Sequence, residues 1–164
     1  MRKLWLISLV FLLFFSCKQN QNADLLAEDT ELEFDAETLP QRFRVNNKSA
    51  NVLQSWVEYN AFDAAFDAIY TAANNEDLIL IIEDLIEKQQ LWEKSTYPDS
   101  FDKAQIKSRQ KVLKTYLLKV RSALHYRSEF VLATEEMINA YNALRRQFDV
   151  MMNSTLDPKL LSDD

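Results

Sequence analysis

The feature of this sequence that most restricts its fold is the absence of glycine from all 164 residues. Average usage near 7% would place about eleven glycines in a chain of this length. The tight turns of β-hairpins need residues that accept positive φ angles, and glycine accepts them most readily. With prolines only at positions 40, 98 and 158, the chain is expected to fold as helices joined by short connections.

Apolar residues recur at spacings of three and four along most of the second part of the chain, as they do on one face of an α-helix. We expect helices over 49–73 and 74–94, a third from about residue 100, and a fourth whose apolar residues run from Met137 to Met151. No strong stop separates the last two, so they could be continuous. The predicted fold class is all-α, an antiparallel bundle of about four helices after a disordered tether. The predicted core includes Trp56, Phe66, Ile82, Leu85, Leu113, Leu117, Leu124, Tyr141 and Phe148.

An acidic segment precedes these helices. Between Lys18 and Arg42 the chain has seven acidic residues and no basic one, and its apolar residues are scattered. Such a segment gains too little from apolar burial to offset its ordering entropy, so we expect residues 17–47 to form a flexible tether. The alternative is a strand or helix that docks on a partner through Leu32 and Phe34.

The start of the chain has the pattern of an export segment. Met1-Arg2-Lys3 is basic, and Leu4 to Phe15 form an apolar run that is too short to cross a bilayer, which needs roughly 20 apolar residues. We therefore divide the chain into a signal peptide over 1–16, the tether over 17–47, a helical domain over 48–155 and a C-terminal tail over 156–164.

Cys17, the only cysteine, follows Ser16 where the apolar run ends. This junction resembles the lipobox of bacterial lipoproteins. The resemblance implies that Cys17 receives a diacylglyceryl group and becomes the mature N-terminus, anchored in a membrane of the cell envelope. It also implies the outer membrane, facing the periplasm, because Lys18 stands where an aspartate favours retention in the inner membrane. The alternative is an ordinary secretory signal, or an uncleaved anchor, with an incidental cysteine.

Charge is segregated along the helical domain. Residues 51–100 hold ten acids and two bases, whereas residues 101–127 hold eight bases and one acid. At 100° per residue, five bases of the third helix fall on one side of it, opposite much of the apolar face. We call them the basic stripe: Lys103, Lys107, Lys111, Lys114 and Arg121. The stripe could bind an acidic protein, lipid headgroups or polysaccharide, could be solvated, or could pair with the acidic helices. Nucleic acid is not expected as a partner of an exported chain with net charge −6.

The composition offers few groups for catalysis. His125 is the only histidine, the residue three before it is Ser122 rather than glutamate, and there is no glycine-rich phosphate loop. We predict no cofactor, metal or catalytic residue, and we place His125 at the surface. Asp63 and Asp67, one turn apart, are interpreted as a solvated face next to core phenylalanines. The predicted function is a non-enzymatic binding or scaffolding module, and the alternative is a small envelope enzyme that uses carboxylates and His125.

Overall fold

The computed structural model describes residues 34–154, and in this range the chain is helical and has no strand. The α-helices are α1 (Asn47–Leu53), α2 (Val57–Phe66), α3 (Asn75–Lys94), α4 (Ala104–His125) and α5 (Phe130–Asn153). Short 3₁₀ helices cover Ala36–Thr38 and Asp67–Thr71. Consecutive long helices pack side by side, and α5 also contacts α2 through aromatic rings, which closes the bundle. The predicted all-α bundle is confirmed.

The first predicted helix, over residues 49–73, is broken in the structure. Helix α1 ends at Leu53, and Trp56 has an extended backbone before α2 begins. The Asn60 side-chain amide donates to the backbone carbonyls of Leu53 and Gln54, at 3.1 and 3.0 Å, and so satisfies acceptors that a helix end leaves open. The bundle over residues 34–154 therefore has one more helix than the four that we predicted.

The other predicted boundaries are close to the observed ones. Asn74 caps α3 as predicted, since its side chain accepts a hydrogen bond from the Asp77 backbone N–H at 2.8 Å. Helix α4 begins at Ala104, four residues later than the predicted start near Ser100. The later start arises because the backbone N–H groups of Phe101 and Asp102 donate to the Pro98 carbonyl and form a tight turn. Phe101 is buried in the core.

A break separates α4 from α5, which settles the question of a continuous helix. Arg127 has a φ of 49°, in the left-handed region. Its N–H bonds the carbonyl of Leu124, and the N–H of Ser128 bonds that of Ala123. This is the Schellman arrangement, which usually has glycine at the position that Arg127 occupies here. The glycine-free chain ends α4 with an arginine in a conformation that arginine disfavours.

The nine predicted core residues are all buried, in a cluster that spans every helix. Aromatic rings form much of it. Trp92, for instance, contacts the rings of Trp56, Tyr59 and Phe62 at centroid distances of 5.2 to 5.6 Å. None of the helices within residues 34–154 is long and apolar enough to span a membrane.

The folded domain begins earlier than predicted. Phe34 and Leu39, which we assigned to the flexible tether, are buried in the core. Residues 39–46, here called the strap, form neither helix nor strand and bond to side chains of α2 and α5. Phe34, the anchor of the alternative interpretation, therefore packs into its own domain. Leu32 and the rest of the predicted tether lie outside the described residues, as do the signal peptide and the tail over 156–164.

Candidate functional site

The structure places the basic stripe beside α3 and pairs most of it with carboxylates. Lys114 Nζ lies 2.6 Å from Glu93 of α3, and Arg121 lies 3.9 Å from Glu83 of the same helix. Lys107 pairs with Asp102. Of the interpretations left open by the sequence, pairing with the acidic helices therefore holds for Lys114 and Arg121, whereas Lys107 pairs with an acid just before its own helix.

Two members of the stripe keep their charge unpaired. Lys103 and Lys111 are exposed and make no ion pair with another residue between 34 and 154. The hydrogen bond from Lys114 lowers the pKa of the Glu93 carboxyl. The positive surface available to an anionic partner is therefore smaller than the sequence indicated, and it lies near the start of α4.

A groove of about 410 Å³ lies between α3 and α4, near the C-terminal end of α4. Its floor consists of the buried side chains of Ile82 and Leu124, and Ile79 and Leu118 line it as exposed apolar residues. Tyr126, just past α4, also lines it and is 75% exposed. A volume above 300 Å³ and a mainly apolar lining are typical of ligand-binding clefts.

Polar groups from both helices line the same groove. Glu83 comes from α3, and Arg121 and His125 come from α4. His125 is exposed, as predicted, and its ring packs against that of Tyr126 at a centroid distance of 4.9 Å. Within the described range, no group of three or more His, Cys, Asp or Glu side chains is placed to hold a metal ion. The groove thus combines apolar walls with one carboxylate, one guanidinium and one imidazole.

The interpretation of Asp63 as part of a solvated face is wrong. The Asp63 carboxylate accepts hydrogen bonds from Arg42 of the strap, at 3.0 Å, and from Tyr141 and Arg145 of α5. Its side chain is 25% exposed, whereas that of Asp67 is 57% exposed and forms an ion pair with Arg42 at 3.1 Å. Asp63 is the centre of a polar network, and Asp67 is its solvated edge.

Arg145 joins this network to the strap. It is buried, donates to the Phe43 carbonyl at 2.6 Å through Nε, and donates to the Tyr59 hydroxyl at 2.8 Å through a terminal nitrogen. Burial raises the pKa of Tyr59 to about 12 and raises that of Tyr141 well above its ordinary value of 10. Both phenols are therefore neutral hydrogen-bonding groups at physiological pH.

Side chains of the bundle also hold the backbone of the strap. The Asn142 side chain accepts from the Phe43 N–H at 2.7 Å and donates to the Gln41 carbonyl at 2.9 Å. Tyr70 donates to the Pro40 carbonyl at 2.8 Å, and Asp149 accepts from the Asn46 N–H at 3.1 Å. Sequence reasoning missed these roles. The signal that was available is the row Asn142, Arg145 and Asp149, at helical spacing beside the apolar row of α5.

Cys17, the predicted lipidation site, lies outside the described residues. Comparison with protein-family models, with curated proteins and with solved structures returned no match to this chain.

Proposed function

We propose that the chain is a lipid-anchored protein of the bacterial cell envelope that acts as a non-enzymatic binding or scaffolding module. The lipobox-like junction at Cys17 and the basic, apolar start of the chain support the anchor. The attached lipid would hold the helical domain at the outer membrane, facing the periplasm. Each acyl methylene buried in a bilayer contributes about 0.8 kcal/mol, so a multiply acylated cysteine anchors a protein stably.

The groove between α3 and α4 is the observation that carries the binding role. It joins an apolar floor to exposed Ile79, Leu118 and Tyr126. Of the two unpaired lysines, Lys111 lies on α4, which forms one wall of the groove, and Lys103 caps the N-terminal end of α4, away from the groove. An acidic protein, an anionic lipid or an acidic polysaccharide would complement these lysines, and the groove would accept an apolar part of the partner.

The anchor is tested by processing of the full-length chain in cells. Mass spectrometry of the N-terminal peptide is expected to show acylated Cys17, and Cys17→Ala should accumulate as unprocessed precursor. Phe14→Leu is the matched control and should be processed normally, because the common lipobox pattern has leucine at the third position before the cysteine, where this chain has Phe14. A mature N-terminus at another residue, without lipid, would refute the anchor.

Location in the outer rather than the inner membrane is tested by density-gradient fractionation of the envelope. The wild-type chain should sediment with outer-membrane markers, and Lys18→Asp should move it to the inner-membrane fractions. If both chains sediment with the inner membrane, the proposed location is wrong.

The binding surface is tested by crosslinking envelopes and recovering the protein with its neighbours. Leu118→Asp should reduce recovery of a specific partner at least tenfold, since a carboxylate in the groove disfavours an apolar contact. Val57→Asp is the matched control, because Val57 is an exposed apolar residue on α2. If both variants fold normally and recover the partner equally, the groove is not the binding surface. The double variant Lys103→Glu, Lys111→Glu should also reduce recovery of the partner if the partner is anionic.

A second candidate function is a small envelope enzyme, and one observation favours it: Glu83 and His125 line the same groove. A carboxylate and an imidazole in one cleft can exchange protons with a bound substrate. His125→Ala tests this candidate, because it removes one of the two groups in the groove that can exchange protons with a substrate. Loss of a substrate-dependent activity with partner recovery intact would favour the enzyme.

A further inference from the structure

The groove between α3 and α4 continues along the two helices beyond its apolar part. A second depression, of about 430 Å³, shares two lining residues with it, Glu83 of α3 and Arg121 of α4, so the two form one extended groove. At 1.5 Å per residue, its lining on α3 spans about 16 Å, or about three helical turns. The lining residues of α3 recur at helical spacing along one face, and they include Ile79, Ile82, Glu83, Ile86, Glu87 and Gln90.

The extended groove changes character along its length. Its upper part, next to Tyr126, has the apolar lining described above. Its lower part, next to Gln90, has buried Ile86 as an apolar floor beneath exposed carboxylates. Beyond Gln90, the ion pair between Lys114 and Glu93, at 2.6 Å, bridges the two helices. The groove is therefore apolar at one end and charged at the other.

Carboxylates outnumber cations in the lower part. Glu83, Asp84 and Glu87 line it, and Arg121 is the one base among its lining residues. Asp84 pairs with Lys88, and Glu83 lies 3.9 Å from Arg121, which is a long separation for an ion pair. Glu87 is exposed and forms no ion pair within the part of the chain that the structure describes. The lower part thus keeps negative charge that a cationic group would neutralise.

This charge and the helical walls restrict what can occupy the groove. An acyl chain would cover Glu83 and Glu87 with carbon and remove their water, which is costly for charged groups. An acidic polysaccharide would be repelled by the same carboxylates. The backbone groups of α3 and α4 are bonded within their helices, and residues 34–154 contain no strand whose edge an extended peptide could join. A helical peptide needs no such edge, because its own backbone groups bond internally.

We propose that the extended groove binds an amphipathic helix of a partner protein, about three turns long. Large apolar residues of that helix lie on Ile79 and Leu118, and a lysine or arginine about two turns away lies next to Glu87, which is about 12 Å along α3 from Ile79. This inference rests on the proposed binding role of the groove and adds the chemistry of what enters it. Lys103 and Lys111 line neither part of the groove, so the anionic surface proposed for them belongs to another part of the partner.

Two synthetic peptides serve as probes, titrated onto the full-length protein in zwitterionic detergent micelles. Both have about twelve residues, the length of three turns, and are held helical by a side-chain staple. Both carry leucines in the first two turns, and on the same face of the last turn one carries lysines and the other glutamates. The methyl NMR signals of Ile79 and Leu118 report binding in the groove. The lysine peptide should bind about tenfold more tightly than the glutamate peptide, because opposite charges meet only in the first case.

Two results would overturn the proposal: equal or tighter binding of the glutamate peptide, or no shift of these methyl signals with either peptide. A lysine peptide with proline at its centre tests the helical form, since proline breaks a helix. It should bind more weakly, and equal binding would show that the occupant is not a helix.

A pair of charge reversals tests the position of the basic residue. Glu87→Lys should reverse the preference, so that the glutamate peptide binds more tightly than the lysine peptide. Asp99→Lys is the matched control, because it changes the net charge equally at an exposed acid that does not line the groove. It should leave the preference unchanged. Equal effects of the two variants would show that the peptides respond to net charge and not to Glu87.

Failure of this inference differs from failure of the proposed function. If neither peptide binds while Leu118→Asp still reduces recovery of the crosslinked partner, the groove is a binding surface but its occupant is not a basic amphipathic helix. If Leu118→Asp leaves recovery of the partner unchanged, the proposed function is wrong, and the inference falls with it.

Discussion

At the scale of single residues, Arg127 shows how a chain without glycine ends a helix. Its φ of 49° places it in the left-handed region, where a side chain crowds the following carbonyl. The two Schellman bonds that follow α4 hold it there. The position therefore carries strain that glycine would not have.

Arg127→Gly is expected to stabilise the domain by about 1 kcal/mol, because the left-handed conformation costs a non-glycine residue roughly that much. In chemical denaturation, the denaturant concentration at the midpoint should rise, and the slope of the unfolding free energy with denaturant should not change. Arg127→Ala is the control for loss of the charge, and it should give no comparable gain. Equal stability of both variants would mean that the backbone at this position is not strained.

Asp63 and Asp67 form a matched pair for the polar network, since both contact Arg42 but only Asp63 also binds Arg145 and Tyr141. Asp63→Asn should destabilise the domain by about 2 kcal/mol, because it leaves the buried Arg145 charge without its counterion. Asp67→Asn should change stability by less than about 0.5 kcal/mol, as exposed pairs do. Thermal melts of the two variants distinguish them, and equal losses would contradict the network.

At the scale of elements, the strap depends on long-range contacts more than on its own sequence. Asn142 bonds the backbone on both sides of Arg42, so Asn142→Ala removes the acceptor of the partly buried Phe43 N–H and the donor to the Gln41 carbonyl. The Phe43 amide should then exchange its hydrogen about tenfold faster, which corresponds to about 1.4 kcal/mol. Hydrogen exchange with mass spectrometry measures it. Asn139→Ala changes an exposed asparagine one turn earlier. In that variant the Phe43 amide should exchange at the wild-type rate.

The sequence predicted the long helices because apolar periodicity and cap residues such as Asn74 are local signals. It did not predict the break before Trp56, since Trp56 fits the apolar row of a continuous helix as well as it fits a buried residue between two helices. The strap was assigned to the tether for a related reason. Its partners Asn142 and Arg145 are about a hundred residues away, and no local pattern records such pairing.

At the scale of the whole molecule, buried phenols should make the fold sensitive to alkali. Burial raises the pKa of Tyr59 and Tyr97 to about 12, and that of Tyr141 well above 10. The unfolded chain releases these protons near pH 10, while the folded chain retains them. The stability is therefore full below about pH 10 and falls as the pH rises towards 12.

Melting temperatures across this range, followed together with phenolate absorbance, check the prediction. Tyr97→Phe should make the loss of stability with pH less steep. Tyr126→Phe, which changes an exposed tyrosine, should leave the dependence of the melting temperature on pH unchanged. A fold that melts at the same temperature at pH 9 and pH 12 would show that these phenols titrate normally.

The groove could not be located from the sequence, although some of its residues could be named. Arg121 and His125 stood out as a stripe member and a lone histidine, yet only the packing of α3 against α4 brings Glu83 next to them. The charge segregation between the two helices was visible, but its partial neutralisation follows from their antiparallel register, which pairs Glu93 with Lys114.

The strap also determines how the domain responds to mechanical tension. A pull on the N-terminal end acts first on the buried side chains of Phe34 and Leu39, and then on the rest of the strap, which is bonded at successive points to Tyr70, Asn142, Arg145 and Asp149. A force directed along the strap stretches these bonds together, in shear, whereas a force across it would break them one after another. The burial of Phe34 and the bonds of the strap therefore act together against separation of the N-terminal end from the helices.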